Sequence, residues 1–210
     1  MFLSHFIYIA IMKNFKQFLF LSIICSLVLF TNCGEDDDAT VASFTGSIGD
    51  AYQGGIVYYL FQEGNTGYVA GEVHGLIAAT EDQSTELGAY WGCSQTEIIG
   101  ADGTAIGTGA QNTLDILAGC SEDGIAAKLC ADYGITVDGI TYDDWFLPSK
   151  DELNLFYLKK EEILGDFEDA IYSSSSQYSG IGSWSQAFYS GYQVDNDVDE
   201  PNRVRAVRAF

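Results

Sequence analysis

A continuous apolar run over residues 18–30 leads to Cys33, and only the chain beyond it is free to fold as a globular unit. Lys13 and Lys16 precede the run, and Gly34-Glu35-Asp36-Asp37-Asp38 come directly after the cysteine. A positive flank, an apolar core and then a processing position is the order of a secretory signal peptide. The uninterrupted apolar stretch falls short of the ~20 residues that a membrane span needs. Its end, Phe30-Thr31-Asn32-Cys33, points to cleavage before Cys33 and lipidation of that cysteine. Met12 opens a signal of more usual length than Met1 does. The expectation is a signal peptide at 1–32, an acidic and polar tether at 33–46, and one domain at 47–210.

Removing residues 1–32 from a chain of 210 leaves 178, enough for one domain with a real core. The signal takes Lys13 and Lys16 with it, so seven cations face all 30 acids, a formal charge of −23. No Lys or Arg stands between Lys16 and Lys128. Such a field repels nucleic acid, anionic headgroups and sulfated polyanions, and it suits neutral glycans, cations or a basic protein. With 13 Tyr, 13 Phe and 3 Trp, the chain has the apolar mass to fold despite its charge.

Processing removes Cys25 and commits Cys33 to lipid, leaving Cys93, Cys120 and Cys130 in an oxidising compartment. One disulfide and one free thiol is the simplest arithmetic. Cys130 shares a helical stripe with Ile125, Ala126, Leu129 and Tyr133, so it reads as a buried thiol. Cys93 comes after Trp91-Gly92 and Cys120 stands at a helix end, which makes them the expected pair. The three thiols with His74 match no zinc spacing.

Gly54-Gly55 precede a β-branched and aromatic strand at 56–61, and Gly64-Asn65-Thr66-Gly67 forms a turn. Further strands are expected at 68–70 and 75–80, a loop at 81–109, and helices at 112–119 and 121–133. Ser149 is a strong N-cap, with Asp151 and Glu152 in the first turn where the helix dipole favours acids. Residues 184–189 and 203–210 read as closing strands separated by a polar segment at 190–202. Strands and helices mix without strict alternation, so the class is α+β.

Asp195, Asp197 and Asp199 with Glu200 offer clustered hard oxygens of the kind calcium takes, although Glu200 and Ala206 stand where an EF-hand loop needs Gly and Glu. Trp91, Trp145 and Trp184 can supply apolar faces for stacking on neutral sugars. Arg203, Arg205 and Arg208 lie on one expected strand, placed to bridge to acids across a sheet. His74 is the one histidine after residue 32, and no nucleophile motif surrounds it. No catalytic constellation or cofactor loop is present, so the expectation is a non-enzyme.

Several segments together carry a resemblance to a known family. They are Ile48-Gly49-Asp50-Ala51-Tyr52-Gln53-Gly54-Gly55, Gly75-Leu76-Ile77-Ala78-Ala79, Trp91-Gly92-Cys93, Ile106-Gly107-Thr108-Gly109, Asp144-Trp145-Phe146-Leu147-Pro148-Ser149-Lys150-Asp151-Glu152-Leu153 and Val204-Arg205-Ala206-Val207-Arg208. The set resembles the Lcl C-terminal domain family, close to the Fibrobacter-type major paralogous domains, over about residues 47–210. The acidic run after Cys33 is similar to the surface-export signal of Bacteroidota lipoproteins. The resemblance implies a C-type-lectin-like fold of mixed, mainly antiparallel strands with two to three helices. It also implies a cell-surface adhesion or binding module, lipid-anchored in the outer membrane. The family's named member is an adhesin for sulfated glycans, and the acidity here argues instead for a neutral glycan or a protein ligand. The other readings are a calcium-dependent sugar binder, an enzyme or accessory in surface polysaccharide processing, and a structural envelope protein.

Overall fold

A computed structural model describes residues 44–163 and 167–210. The expected signal peptide, the expected lipidation site Cys33 and the expected tether up to residue 43 lie outside the described residues. Phe44 is buried, with its ring 4.8 Å from Tyr52 and 5.0 Å from Phe210. This ring packs into one end of the core from a position upstream of residue 47.

The fold is α+β with mostly antiparallel sheets. Strands β1 (Ala51–Tyr52), β2 (Gly55–Leu60) and β3 (Gly75–Ala79) are followed by helices α1 (Gly109–Gly119) and α2 (Ala126–Ala131). A hairpin of β4 (Ile135–Val137) and β5 (Ile140–Tyr142) leads to helix α3 (Lys150–Lys159). Strands β6 (Ile171–Ser179), β7 (Gly182–Ala187), β8 (Gln193–Asp197) and β9 (Val207–Ala209) complete the order. One sheet runs β1-β2-β3-β9 and a second runs β6-β7-β8. Among the described residues, no helix is long and apolar enough to cross a membrane.

All five positions of β3 are buried, which explains its unbroken apolar run: it has protein on both faces. Alternation then divides the interior. Val57 and Ile77 point to one core with Trp91, Ile116, Trp145 and Leu147. Tyr58, Leu76 and Ala78 point to another with Phe156, Tyr172 and Phe188. Helix α3 is held by the expected Ser149 cap, as part of a capping box with Glu152. The arginines pair with acids, although only Arg208 lies on a strand and the acids lie outside the strands: Arg205 Nε meets Asp82 Oδ1 at 2.6 Å, Arg203 approaches the same carboxylate at 4.0 Å, and Arg208 engages Asp144 and Gln53.

The structure departs from the sequence expectations in four places. Residues 68–70 form no strand; Tyr68 and Val69 are exposed in irregular loop. The second helix starts only at Ala126, after Gly124 turns the chain with φ +71°. The β4–β5 hairpin was not anticipated; Asp138 and Gly139 take φ values of 52° and 83°, the left-handed pair of a two-residue hairpin turn. Strand β8 lies within the segment 190–202 that reads as polar, and β6 occupies residues 171–179, where no element is expected.

Candidate functional site

A cleft of about 470 Å³ opens where the loop before Ala89, the start of β6 and the segment leading into β9 converge. Backbone bonds between Ala89 and Asn202 hold its two sides together. Gly88 makes that approach feasible: it has φ +79°, and a Cβ there would meet the Asn202 backbone at 2.8 Å. Asn196 on β8 donates to Asn202 Oδ1 at 3.1 Å, and Asn202 Nδ2 donates to the Glu200 carbonyl at 3.3 Å. The Glu200 N–H donates to the Asp197 carbonyl at 3.0 Å, which turns the chain and places Glu200 and Pro201 on the rim.

The lining combines the carboxylates of Glu86 and Glu200, the amides of Asn196 and Asn202, the guanidinium of Arg203, and apolar surface from Leu87, Ile171 and Pro201. Arg203 Nη1 donates to the Thr85 carbonyl at 3.3 Å and lies 4.0 Å from Asp82. Its charge is thus offset from behind, and the two glutamates leave the cleft negative. Amide and carboxylate acceptors, guanidinium and amide donors, and flat apolar patches are the groups that bind a neutral polyhydroxylated molecule. The volume falls in the range of about 300–1,000 Å³ of small-molecule sites.

Of the four acids expected to bind calcium, only Glu200 reaches this cleft. On β8, Asp195 and Asp197 alternate with Asn196 and so stand on the opposite face. Asp199 donates its N–H to Asp197 Oδ1 at 2.9 Å, and all four carboxylates are exposed. They do not converge: among the described residues, the one group of three donor atoms within 4.8 Å of one another is Cys93, Cys120 and Glu122. Two of those three sulfur and oxygen donors are joined in the Cys93–Cys120 disulfide, the pairing expected from sequence. Period two puts Asp195 and Asp197 together on one face of β8, away from Glu200 in the cleft, so the acids expected to take calcium are not gathered at one point among the described residues.

The aromatic expectation is corrected at two of its three positions. Trp91 is 1% exposed and donates Nε1–H to the Ser174 carbonyl at 3.0 Å. Trp145 is 3% exposed, bonds the Tyr142 carbonyl at 3.0 Å and meets Tyr133 edge-on. Both are core pillars whose faces no ligand reaches. Trp184 is half-buried, with Lys150 Nζ 4.0 Å above its ring and Tyr178 edge-on at 5.3 Å. His74 is held between Glu72 Oε2 at 2.9 Å and the Phe210 carbonyl at 3.0 Å.

Sequence reasoning did not reach Glu86, Leu87, Asn196 or Arg203 as cleft residues. Nothing local marks Glu86 or Leu87, since they join the site only through the Ala89–Asn202 pairing. The polar stretch 190–202 did carry a signal for Asn196 and Glu200, although the nature of the site was different.

Cys130 is the free cysteine among the described residues, and burial pushes its thiol well above the ordinary range. A maleimide should leave the Cys130 peptide unmodified in native buffer and label it fully in guanidinium, as read by mass mapping. Labelling of the native protein at the rate of a free thiol would contradict the buried packing. No protein-family model matches the chain, and no curated protein sequence matches it significantly.

Proposed function

We propose that this protein is a lipid-anchored cell-surface binding module whose cleft takes a neutral glycan. The observation that carries the reading is the cleft between residues 86–88 and 196–203, where Glu86, Asn196, Glu200 and Arg203 ring apolar surface from Leu87 and Pro201. The apolar run leading to Cys33 supports the anchor and the location. The run Trp145-Phe146-Leu147-Pro148 entering α3, with β9 returning beside β3, supports a C-type-lectin-like arrangement of the Lcl C-terminal type.

An array of neutral and sulfated glycans, read with and without chelator, tests it. Neutral glycans should bind, sulfated ones should be rejected, and chelator should change nothing because the carboxylates do not converge. Glu200→Ala removes charge-assisted hydrogen bonds at an exposed position and should weaken binding about tenfold or more without lowering Tm. Binding confined to sulfated glycans, or none at all, would remove the reading.

A further inference from the structure

A second, separate surface lies at the β6–β7 hairpin. There Ile98, Ile99, Gly100 and Tyr178 form an apolar cleft of about 330 Å³, with Glu97 and Asp102 on its walls. Ile99 is 94% exposed, Tyr178 59% and Ile181 at the hairpin tip 58%. Large apolar side chains grouped in this way mark interaction sites more often than chance exposure. The walls are pre-set: buried Gln177 accepts from the Ile98 N–H at 2.7 Å, donates to the Thr96 carbonyl at 2.7 Å, and its N–H bonds the Ala101 carbonyl at 2.7 Å. A partner therefore meets a formed seat and does not have to order the loop first.

The surface continues from Tyr178 to Trp184, whose cross-strand neighbour is Asp195; Asp197 stands two residues on, on the same face. Among the described residues, Glu97, Asp102, Asp195 and Asp197 form no ion pair, and of the four only Asp197 is partly engaged, its Oδ1 accepting from the Asp199 N–H at 2.9 Å. Lys150 Nζ stands 4.0 Å over the Trp184 ring, so that ring face is taken by the chain's own cation and the open apolar seat is the one between Ile99 and Tyr178.

We propose that this face docks a basic polypeptide segment, with one apolar or aromatic side chain seated between Ile99 and Tyr178 and flanking Lys or Arg side chains on the acidic rim. Charge complementarity selects that occupant. The rim and the chain as a whole are acidic, and the apolar seat and the carboxylates come from separate segments, residues 97–102 and β8, so an occupant that meets both must reach beyond one side chain.

The test is fluorescence anisotropy of the whole protein with a labelled short peptide carrying one central phenylalanine between lysines. An all-lysine peptide and a phenylalanine–glutamate peptide serve as controls. The Phe–Lys peptide should bind in a salt-dependent way, at least about tenfold tighter than the all-lysine peptide. A double variant Ile99→Ser, Tyr178→Ala changes two exposed positions. It should erase that preference with Tm unchanged, while Glu97→Gln with Asp102→Asn should weaken all lysine binding. Glu200→Ala, in the other cleft, should bind the peptide as wild type does. Equal binding of both lysine peptides, which would report net charge alone, or full binding by the Ile99→Ser, Tyr178→Ala variant, would overturn the proposal.

Discussion

Glu152→Ala is expected to lower the unfolding free energy by about 4 kcal/mol, measured by chemical denaturation. The Glu152 carboxylate is fully buried. Its Oε1 accepts from the Gly107 N–H at 2.7 Å and its Oε2 from the Ser149 N–H at 2.7 Å, and the Gly109 N–H adds a third bond. One side chain therefore fastens the loop before α1 to the first turn of α3. The fit is close: a Cβ on Gly109 would come within 2.3 Å of Glu152 Oε2. Removing the carboxylate strands three backbone donors in the interior, each at a cost of about 1–3 kcal/mol, partly offset by the desolvation no longer imposed on the charge.

The same group has a pH signature. Burial raises the Glu152 carboxyl above its ordinary 4.5, outweighing the hydrogen bonds that lower it. The folded state then holds a proton that the unfolded chain releases, so stability from this group is full below about pH 4.5 and declines as pH rises through the folded value. The difference in Tm between wild type and Glu152→Gln should accordingly narrow as pH rises from about 4 towards neutrality. A difference that widens would show that the hydrogen bonds outweigh burial.

Reducing the Cys93–Cys120 disulfide, or replacing both cysteines by alanine, should cost about 3.5 kcal/mol. The two residues are 27 apart, and the bond removes the loop-closure entropy of that span from the unfolded chain. For a domain of this size the loss corresponds to a drop in Tm of about 7–14 °C, readable by calorimetry with and without a dithiol. A change of a degree or less would mean that the loop 93–120 is ordered by its other contacts, among them Ile98 and Ile116 in the core. A Cys130→Ser control separates this effect from chemistry at the buried thiol.

The elements legible in the sequence are those whose signals are local. Ser149 with Glu152 three residues on announces a capped helix, and the apolar run after Gly75 announces a buried strand. Asp138-Gly139 between β-branched residues is an equally local hairpin signal that went unread. The stretch Tyr172-Ser173-Ser174-Ser175-Ser176-Gln177 announces no element, since serine favours turns, yet it is a buried strand. Three of its four serine hydroxyls find partners on other segments: Ser176 Oγ bonds the Gly103 carbonyl at 2.6 Å, Ser174 Oγ bonds the Trp184 carbonyl at 2.6 Å, and Ser175 Oγ accepts from Asn112 Nδ2 at 3.2 Å, while Ser173 Oγ has none among the described residues. Glu152 was legible as a first-turn acid but not as an interior clip, since its other partners come from residues 107 and 109. Both clefts suffer the same limit: each is assembled from segments that meet only after the sheets have formed.

The sheet that organises the first cleft depends on contacts very far apart in the chain. His74 meets Phe210 across 136 residues, and Arg205 meets Asp82 across 123. Such closures make the search for the native arrangement slow, on the scale of milliseconds to seconds, because loop entropy is lost before the contacts compensate. Until β9 docks, β3 keeps an open edge of apolar strand, the kind of template that recruits neighbouring chains. The formal charge of −23 after residue 32 acts during that interval, holding unfinished chains apart. Acidity in this protein is thus also a matter of timing, a shield for the slow step between synthesis and the closed sheet.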